Sequence, residues 1–243
     1  MEFFMKLCKI ICLMITLPLR LMELLGLYGM YKRVFPFLAY NITFSYNAKM
    51  HAVKRDLFRN IHTFTNKDNT LRLLEIGCGS GANFPFYPDG CTVTCSDPNP
   101  HFEKYLKRSM EANKHLTYET FLVMSGEDMK ALADETVDVV VCTLVLCSVR
   151  DVRQVLQEAR RVLRTGGAFY FMEHVASDRG SWTYFFQHAL QPAWYYLGDG
   201  CVTTRATWKD LETAGFSALH LAHIDAPQAT FTIRPHVLGF AVK

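Results

Sequence analysis

Although the sequence holds eight cysteines, no two of them form a Cys-x-x-Cys pair. Cys91 and Cys95 stand with three residues between them and no second pair follows, so local spacing predicts no metal site. Several of the cysteines lie inside apolar runs, as small core residues do, and read as reduced thiols in a cytosol-facing protein. A strong excess of one charge is lacking too. Lysine and arginine number 26 against 23 acidic residues, without the concentrated basic patch by which nucleic-acid binders hold phosphates. Nucleic acid is therefore set aside as a partner. No internal repeat or low-complexity tract is present. The 243 residues leave room for one α/β domain with a terminal appendage, and not for two enzymes.

A long uncharged apolar run is also missing. Residues 3–31 are mostly apolar, yet their longest uncharged stretch, 10–19, is ten residues, about 15 Å as a helix. A bilayer core is about twice as thick. On a helix, Lys6, Lys9, Thr16, Arg20 and Glu23 fall within one arc of about 100° and leave the rest apolar, the pattern of a helix lying in a membrane interface. Pro18 removes a backbone donor and predicts a kink. The pattern ends near Tyr31 and gives a membrane anchor over residues 1–34. A single span with Arg20 and Glu23 paired inside it, and a helix covering the domain core, are the two other readings. The residues after the apolar run, Leu17-Pro18-Leu19-Arg20-Leu21-Met22-Glu23, lack the small side chains of a signal-peptide cleavage site.

Residues 35–69 read as a helical connector, with a helix over 40–64 that ends at the turn Asn66-Lys67-Asp68-Asn69. Across 70–243, short β-like apolar runs alternate with helical periods, the signature of a parallel sheet flanked by helices. Strands are predicted at 72–76, 92–96, 118–123, 137–143 and 168–173. Val152, Val155, Leu156, Ala159, Val162 and Leu163 follow helical spacing, with Gly166-Gly167 as the stop. Thr204 is expected to cap a helix carrying Trp208, Leu211 and Ala214, ended by Gly215. Residues 216–224 and 236–242 are expected to pair as an antiparallel hairpin at the sheet edge.

The run Leu73-Leu74-Glu75-Ile76-Gly77-Cys78-Gly79-Ser80-Gly81 takes a strand into a glycine loop, where missing side chains let a ligand approach the backbone. Gly77, Gly79 and Ala82 also satisfy the G-x-G-x-x-A form of a nicotinamide dinucleotide loop, so the glycines alone do not choose the ligand. A short-chain oxidoreductase wants a Tyr-x-x-x-Lys pair, and the one such pair, Tyr28 and Lys32, precedes the loop. Glu75, two positions before Gly77, suits a ligand carrying a positive sulfonium and an amino group, and offers nothing to a pyrophosphate. The loop meets Asn83-Phe84-Pro85-Phe86-Tyr87-Pro88, room for a short helix at best and a weak dipole for phosphates. Asp97, closing the second strand, is placed to accept hydrogen bonds from both hydroxyls of a ribose. After the third strand, Ser125-Gly126-Glu127-Asp128-Met129 offers a carboxylate and an apolar side chain to an adenine.

In these residues the chain resembles the class I S-adenosylmethionine-dependent methyltransferases over roughly residues 70–175. Glu75 to Gly81, Asp97, Glu127-Asp128 and the strand beginning at Val137 look like their four cofactor-binding motifs. The whole chain is similar to the membrane-associated alkyl-thiol methyltransferases of the methyltransferase-like family. Asp97-Pro98-Asn99-Pro100, Val139-Val140-Val141-Cys142-Thr143-Leu144-Val145-Leu146-Cys147-Ser148-Val149 and Gly166-Gly167-Ala168-Phe169-Tyr170-Phe171-Met172-Glu173-His174 carry that likeness. The resemblance implies a Rossmann-like α/β sheet of seven strands with the last strand antiparallel, and S-adenosylmethionine as cofactor. It implies cofactor contacts from Glu75, Gly77, Cys78, Gly79 and Gly81, from Asp97, Pro98 and Asn99, from Glu127, Asp128 and Met129, and from Cys142 and Thr143. It further implies methyl transfer to small, mostly apolar thiols, and monotopic association with endoplasmic reticulum and lipid-droplet membranes. A lipid-like oxygen, nitrogen or carbon acceptor, or a non-enzymatic role on lipid droplets, are the competing readings.

Methyl transfer from a sulfonium is an in-line displacement, so the protein mainly aligns acceptor, methyl and sulfur and excludes water. A thiol of pKa about 8.5 is already a few per cent thiolate at neutral pH, which removes the need for a strong base. His174, just after the fifth strand, is the candidate base, or else a hydrogen-bonded structural histidine. Cys142 and Cys147 fall near the expected methyl position and read as core. The cluster Trp182, Tyr184, Phe185, Phe186, Trp194, Tyr195 and Tyr196 has three readings: a lid over apolar acceptors, a second membrane-facing surface, or core.

Overall fold

The computed structural model describes residues 2–227 and 229–243. Five runs rich in β-branched and apolar residues form parallel strands: β1 (Arg72–Ile76), β2 (Thr92–Ser96), β3 (Thr117–Leu122), β4 (Val137–Thr143) and β5 (Leu163–His174). β6 (Ala218–Asp225) and β7 (Pro235–Val242) complete a seven-stranded sheet in the order β3-β2-β1-β4-β5-β7-β6. β7 runs antiparallel to both of its neighbours and is the one reversed strand among the described residues.

Successive residues of a strand face opposite sides, so the sheet buries two layers. Leu73, Val93, Val139, Val141 and Tyr170 pack on one face with Met50, Leu57 and Phe58. On the other face, Leu74, Ile76, Val140, Phe169 and Phe171 pack with Val155, Leu156 and Ala159 of α5 (Val152–Val162). That helix opens on Asp151, whose carboxylate accepts the N–H groups of Arg153 and Gln154. α4 (Glu103–Ala112) follows β2, and α6 (Trp182–Leu197) and α7 (Thr207–Thr213) separate β5 from β6.

Several local expectations are corrected. The N-terminal apolar segment is two helices, α1 (Glu2–Ile15) and α2 (Leu17–Leu24), and Pro18 lies in the first turn of α2, where its missing N–H leaves no bond unmade. Thr16, at the break, is buried and donates to the Cys12 carbonyl at 2.8 Å, and Glu23 accepts from the hydroxyls of Tyr195 and Tyr196. The single polar arc is thus divided, and two of its members face the protein. The helix expected over 40–64 is instead α3 (Tyr28–Leu57), which runs unbroken across residues 34 and 35 with Pro36 inside it. Among the described residues no helix is long and apolar enough to cross a membrane.

Gly166-Gly167 does not stop α5. The helix ends at Val162, β5 starts at Leu163, and the glycines form a bulge at which the pairing with β4 shifts between Val137 and Val139. α7 begins after Ala206 without a side-chain cap, so Thr204 plays no capping part.

Candidate active site

β1, β2 and β4 all end on the same edge of the sheet, the carboxyl edge where α/β folds bind ligands. A cleft of about 310 Å³ opens there. Its floor is the turn Gly77, Cys78 and Gly79, one wall is Asp97, Pro98 and Phe102, and the opposite wall is Thr143, Leu144, Val145 and Ser148. The roof is α3, which presents Phe35, Ala39, Thr43, Tyr46 and Lys54. Asn47 ties that roof to the glycine loop by donating to the Ala82 carbonyl at 2.6 Å.

Gly77 has φ +59°, and a Cβ there would fall 2.4 Å from Cγ2 of Val145, so only glycine lets the second wall close on the turn. Leu144 is held at φ +58°, a strained conformation for a branched side chain, and it sits where the wall bends over the cleft.

Asp97 is buried. Its Oδ2 accepts the Gly79 N–H at 3.2 Å and its Oδ1 accepts the Asn99 N–H at 2.8 Å. Burial raises its pKa to about 6, and the two backbone donors oppose the rise. Each oxygen keeps a lone pair for a further donor. Glu75 is also buried, and its two oxygens accept from Asn83 Nδ2 at 2.8 Å and the Tyr87 hydroxyl at 2.7 Å. Burial lifts its pKa to about 7, against the pull of those bonds and of Lys54. Burial lowers Lys54 to about 8, and its Nζ donates to Asn47 Oδ1 at 2.7 Å. Asn83 Nδ2 also reaches Thr143 Oγ1 at 2.9 Å, while Asn83 Oδ1 is buried with no hydrogen-bond partner among the described residues. Among the described residues, three carboxylates, Glu75, Asp97 and Asp199, line the cleft with a single lysine, Lys54. That donor set fits a ligand with cationic and hydroxyl groups, and rejects a pyrophosphate.

Of the residues singled out in the sequence, Glu75, Gly77, Cys78, Gly79, Asp97, Pro98 and Thr143 meet at this cleft. Others stand apart from it. A Cβ on Gly81 would strike the Phe84 ring at 2.4 Å, so this glycine serves the packing of the loop. The Asn99 side chain accepts the His101 N–H and donates to the Lys32 carbonyl, which locks the Pro98 turn to α3. Glu127 accepts the N–H groups of Arg150 and Asp151 at 2.7 Å each, holding the approach to α5. Asp128 pairs with Lys130 on the surface, and Met129 is buried in the core beneath α5. The Arg150 and Asp151 N–H groups and the Ser125 hydroxyl fix the Glu127 carboxylate in place. Cys142 is buried below the cleft beside Glu173. His174 is buried behind the wall, with Nε2 3.3 Å from Cys201 Sγ, and does not line the cleft. No residue of α6 lines it either, so the covering role belongs to α3.

The α3 residues were missed, though Phe35, Ala39, Thr43 and Tyr46 follow the spacing of one helical face. Asp199 had no local signal. It reaches the cleft through the turn after α6, where it has φ +47°.

This strand order, with one reversed strand and with a glycine turn and a strand-end carboxylate meeting at one cleft, defines a class I methyltransferase. Residues 74–171 match the family model described as a methyltransferase domain. The chain is similar to human thiol S-methyltransferase TMT1B, 52% identical over the full length of both, and to human thiol S-methyltransferase TMT1A, 53% identical over 91% of each. Its fold is similar to that of a possible histamine N-methyltransferase from Thermotoga maritima, with TM-score 0.61, 14% identity, and coverage of 89% of this chain and 99% of that one. The chain belongs to the thiol S-methyltransferase family.

Proposed function

We propose that the chain transfers a methyl group from S-adenosylmethionine to small, mostly apolar thiols, and does so at a membrane surface. The observation that carries this reading is the Asp97 carboxylate, fixed by the Gly79 and Asn99 N–H groups at the cleft edge with a lone pair free on each oxygen. Bound in the cleft, the cofactor supplies a methyl group on a positively charged sulfur. Asp97 would hold the ribose hydroxyls, and Glu75, buried against Asn83 and Tyr87, would supply negative charge where the surroundings screen it little. α3 covers the cleft and excludes water, while Phe35, Ala39, Leu144 and Val145 suit an apolar acceptor. A thiol needs alignment more than it needs a base, and His174, which does not line the cleft, transfers no proton there.

The membrane part rests on exposed apolar side chains of α1, α2, the start of α3 and α6, among them Phe3, Ile15, Leu24, Leu25, Trp182 and Leu197. Such a surface supports helices lying in the interface over a span. The family resemblance favours endoplasmic reticulum and lipid-droplet membranes, with the catalytic domain facing the cytosol.

The test is to incubate detergent-purified full chain with S-adenosylmethionine and a small apolar thiol, and to measure the methyl thioether by mass spectrometry. Wild type is expected to form product, with kcat/KM about a hundredfold lower in Asp97→Ala, since two hydrogen bonds to a charged group are worth about 3 kcal/mol. Cofactor binding without thiol methylation, with transfer to lipid acceptors instead, would replace the thiol by a lipid-like acceptor. Absence of cofactor binding in folded protein would overturn the reading as a whole.

A further inference from the structure

Behind the cleft wall, three side chains converge that the proposed reaction does not use. Cys147 lies in the loop after β4, His174 ends β5, and Cys201 follows α6, each separated from the next by 27 residues in sequence. The parallel pairing of β4 with β5 brings the first two together, and the bond from the Val202 N–H to the Cys147 carbonyl, 2.9 Å, brings in the third. The two Sγ atoms and an imidazole nitrogen all lie within 4.8 Å of one another, and His174 Nε2 is 3.3 Å from Cys201 Sγ. All three residues are buried. His174 Nδ1 is buried too and has no hydrogen-bond partner among the described residues.

We propose that Cys147, His174 and Cys201 form a binding site for one zinc ion. Two thiolates and an imidazole are a donor set that zinc takes and hard oxygen-seeking cations refuse. Ligands of one tetrahedral zinc, at about 2.3 Å for sulfur and about 2.0 Å for nitrogen, stand roughly 3.5 Å apart; His174 Nε2 and Cys201 Sγ are 3.3 Å apart, and Cys147 Sγ lies within 4.8 Å of both. Two thiolates would offset the two positive charges of the ion, which a buried site needs. The ligands are also held in place before any ion arrives. The Cys147 N–H donates to Glu173 Oε2 at 3.4 Å, the Cys201 N–H donates to the Gly198 carbonyl at 3.2 Å, and His174 pairs with His236 across β5 and β7. Ser148 stands between this cluster and the cleft, since its Oγ is 3.5 Å from Cys147 Sγ and the residue also lines the cleft. The spacing of cysteines along the sequence hides such a site because its ligands come from three distant segments.

The experiment uses the full chain, purified in detergent with a non-chelating reductant from cells grown with zinc, and counts metal by plasma mass spectrometry. About one zinc per chain is expected, falling at least tenfold in the Cys147→Ser/Cys201→Ser variant and unchanged in Cys91→Ser/Cys95→Ser. Should the first variant fail to fold, wild-type protein grown in zinc-depleted medium keeps the question open to measurement. Added cobalt is expected to give a thiolate-to-cobalt charge-transfer band that zinc abolishes. Zinc-free wild type with all eight thiols reduced and no such band overturns the site. So does zinc that persists in the Cys147→Ser/Cys201→Ser variant.

Discussion

Asp97 and Glu75 share a predicament: each is a carboxylate taken out of water to face a ligand, and burial raises each pKa, to about 6 and about 7. A cofactor with hydroxyl donors and a positive sulfur prefers both in the ionised form. Above pH 7 Glu75 completes its ionisation and the two carboxylates cease to add slope. As pH falls through 7, binding must first remove a proton from Glu75, and below 6 a second from Asp97. The dissociation constant should therefore rise up to about tenfold per pH unit between 7 and 6, and more steeply below. Lys54, lowered to about 8, stays ammonium below pH 7 and adds no slope of opposite sign there, its own titration falling between pH 7 and 8. Calorimetric titration with S-adenosylmethionine from pH 5.5 to 8 measures it, and a flat profile would remove both carboxylates from the binding step. The two carboxylates were legible in the sequence because a strand end and a glycine turn fix their positions locally. Asp199 and the α3 roof were not, because tertiary packing alone brings them to the cleft.

Within the sheet, the strands that carry the site are tied by one buried charge. Asp138 on β4 accepts the Arg72 N–H of β1 at 2.8 Å, and pairs with Arg164 Nε of β5 at 2.7 Å and Arg72 Nε at 3.4 Å. Removing one partner of such a group leaves donors unmatched, and because both arginines are partly exposed the cost is about 2–3 kcal/mol. Asp138→Ala should lower Tm by roughly 5–10 °C in a chain of this size. Arg153→Ala, which breaks the exposed pair with Asp210, should shift it by less than about 4 °C. Equal shifts in thermal melts would refute the contrast. β1, β2 and β4 were readable to the residue, since apolar runs bounded by polar turns leave little choice. β5 was not. Its first residues continue the apolar period of α5, and Gly166-Gly167 carries the same sign for a bulge as for a helix stop.

Across the whole molecule, α3 joins two surfaces that the sequence presented as separate domains. Its first turns expose Met30, Val34, Phe37 and Leu38, and the same helix lays Phe35, Ala39 and Tyr46 over the cleft. α1 packs on α6, so the exposed apolar residues of the first helices adjoin Trp182 and Leu197. Ile15, Leu24 and Leu25 are each more than 70% exposed, an arrangement that water disfavours and a lipid interface relieves. An acceptor dissolved in lipid would then meet the cleft without crossing bulk water. Burying each of these three side chains is worth about 1.5–3 kcal/mol, so Ile15→Asp/Leu24→Asp/Leu25→Asp should weaken partition into neutral vesicles by roughly a thousandfold. Flotation with the vesicles reads the loss, and cofactor affinity should stay at the wild-type value because none of the three touches the cleft. Unchanged flotation would refute an interfacial role for these helices. A tag at the N-terminus, protected from protease on the far side of the membrane, would replace the in-plane arrangement by a span.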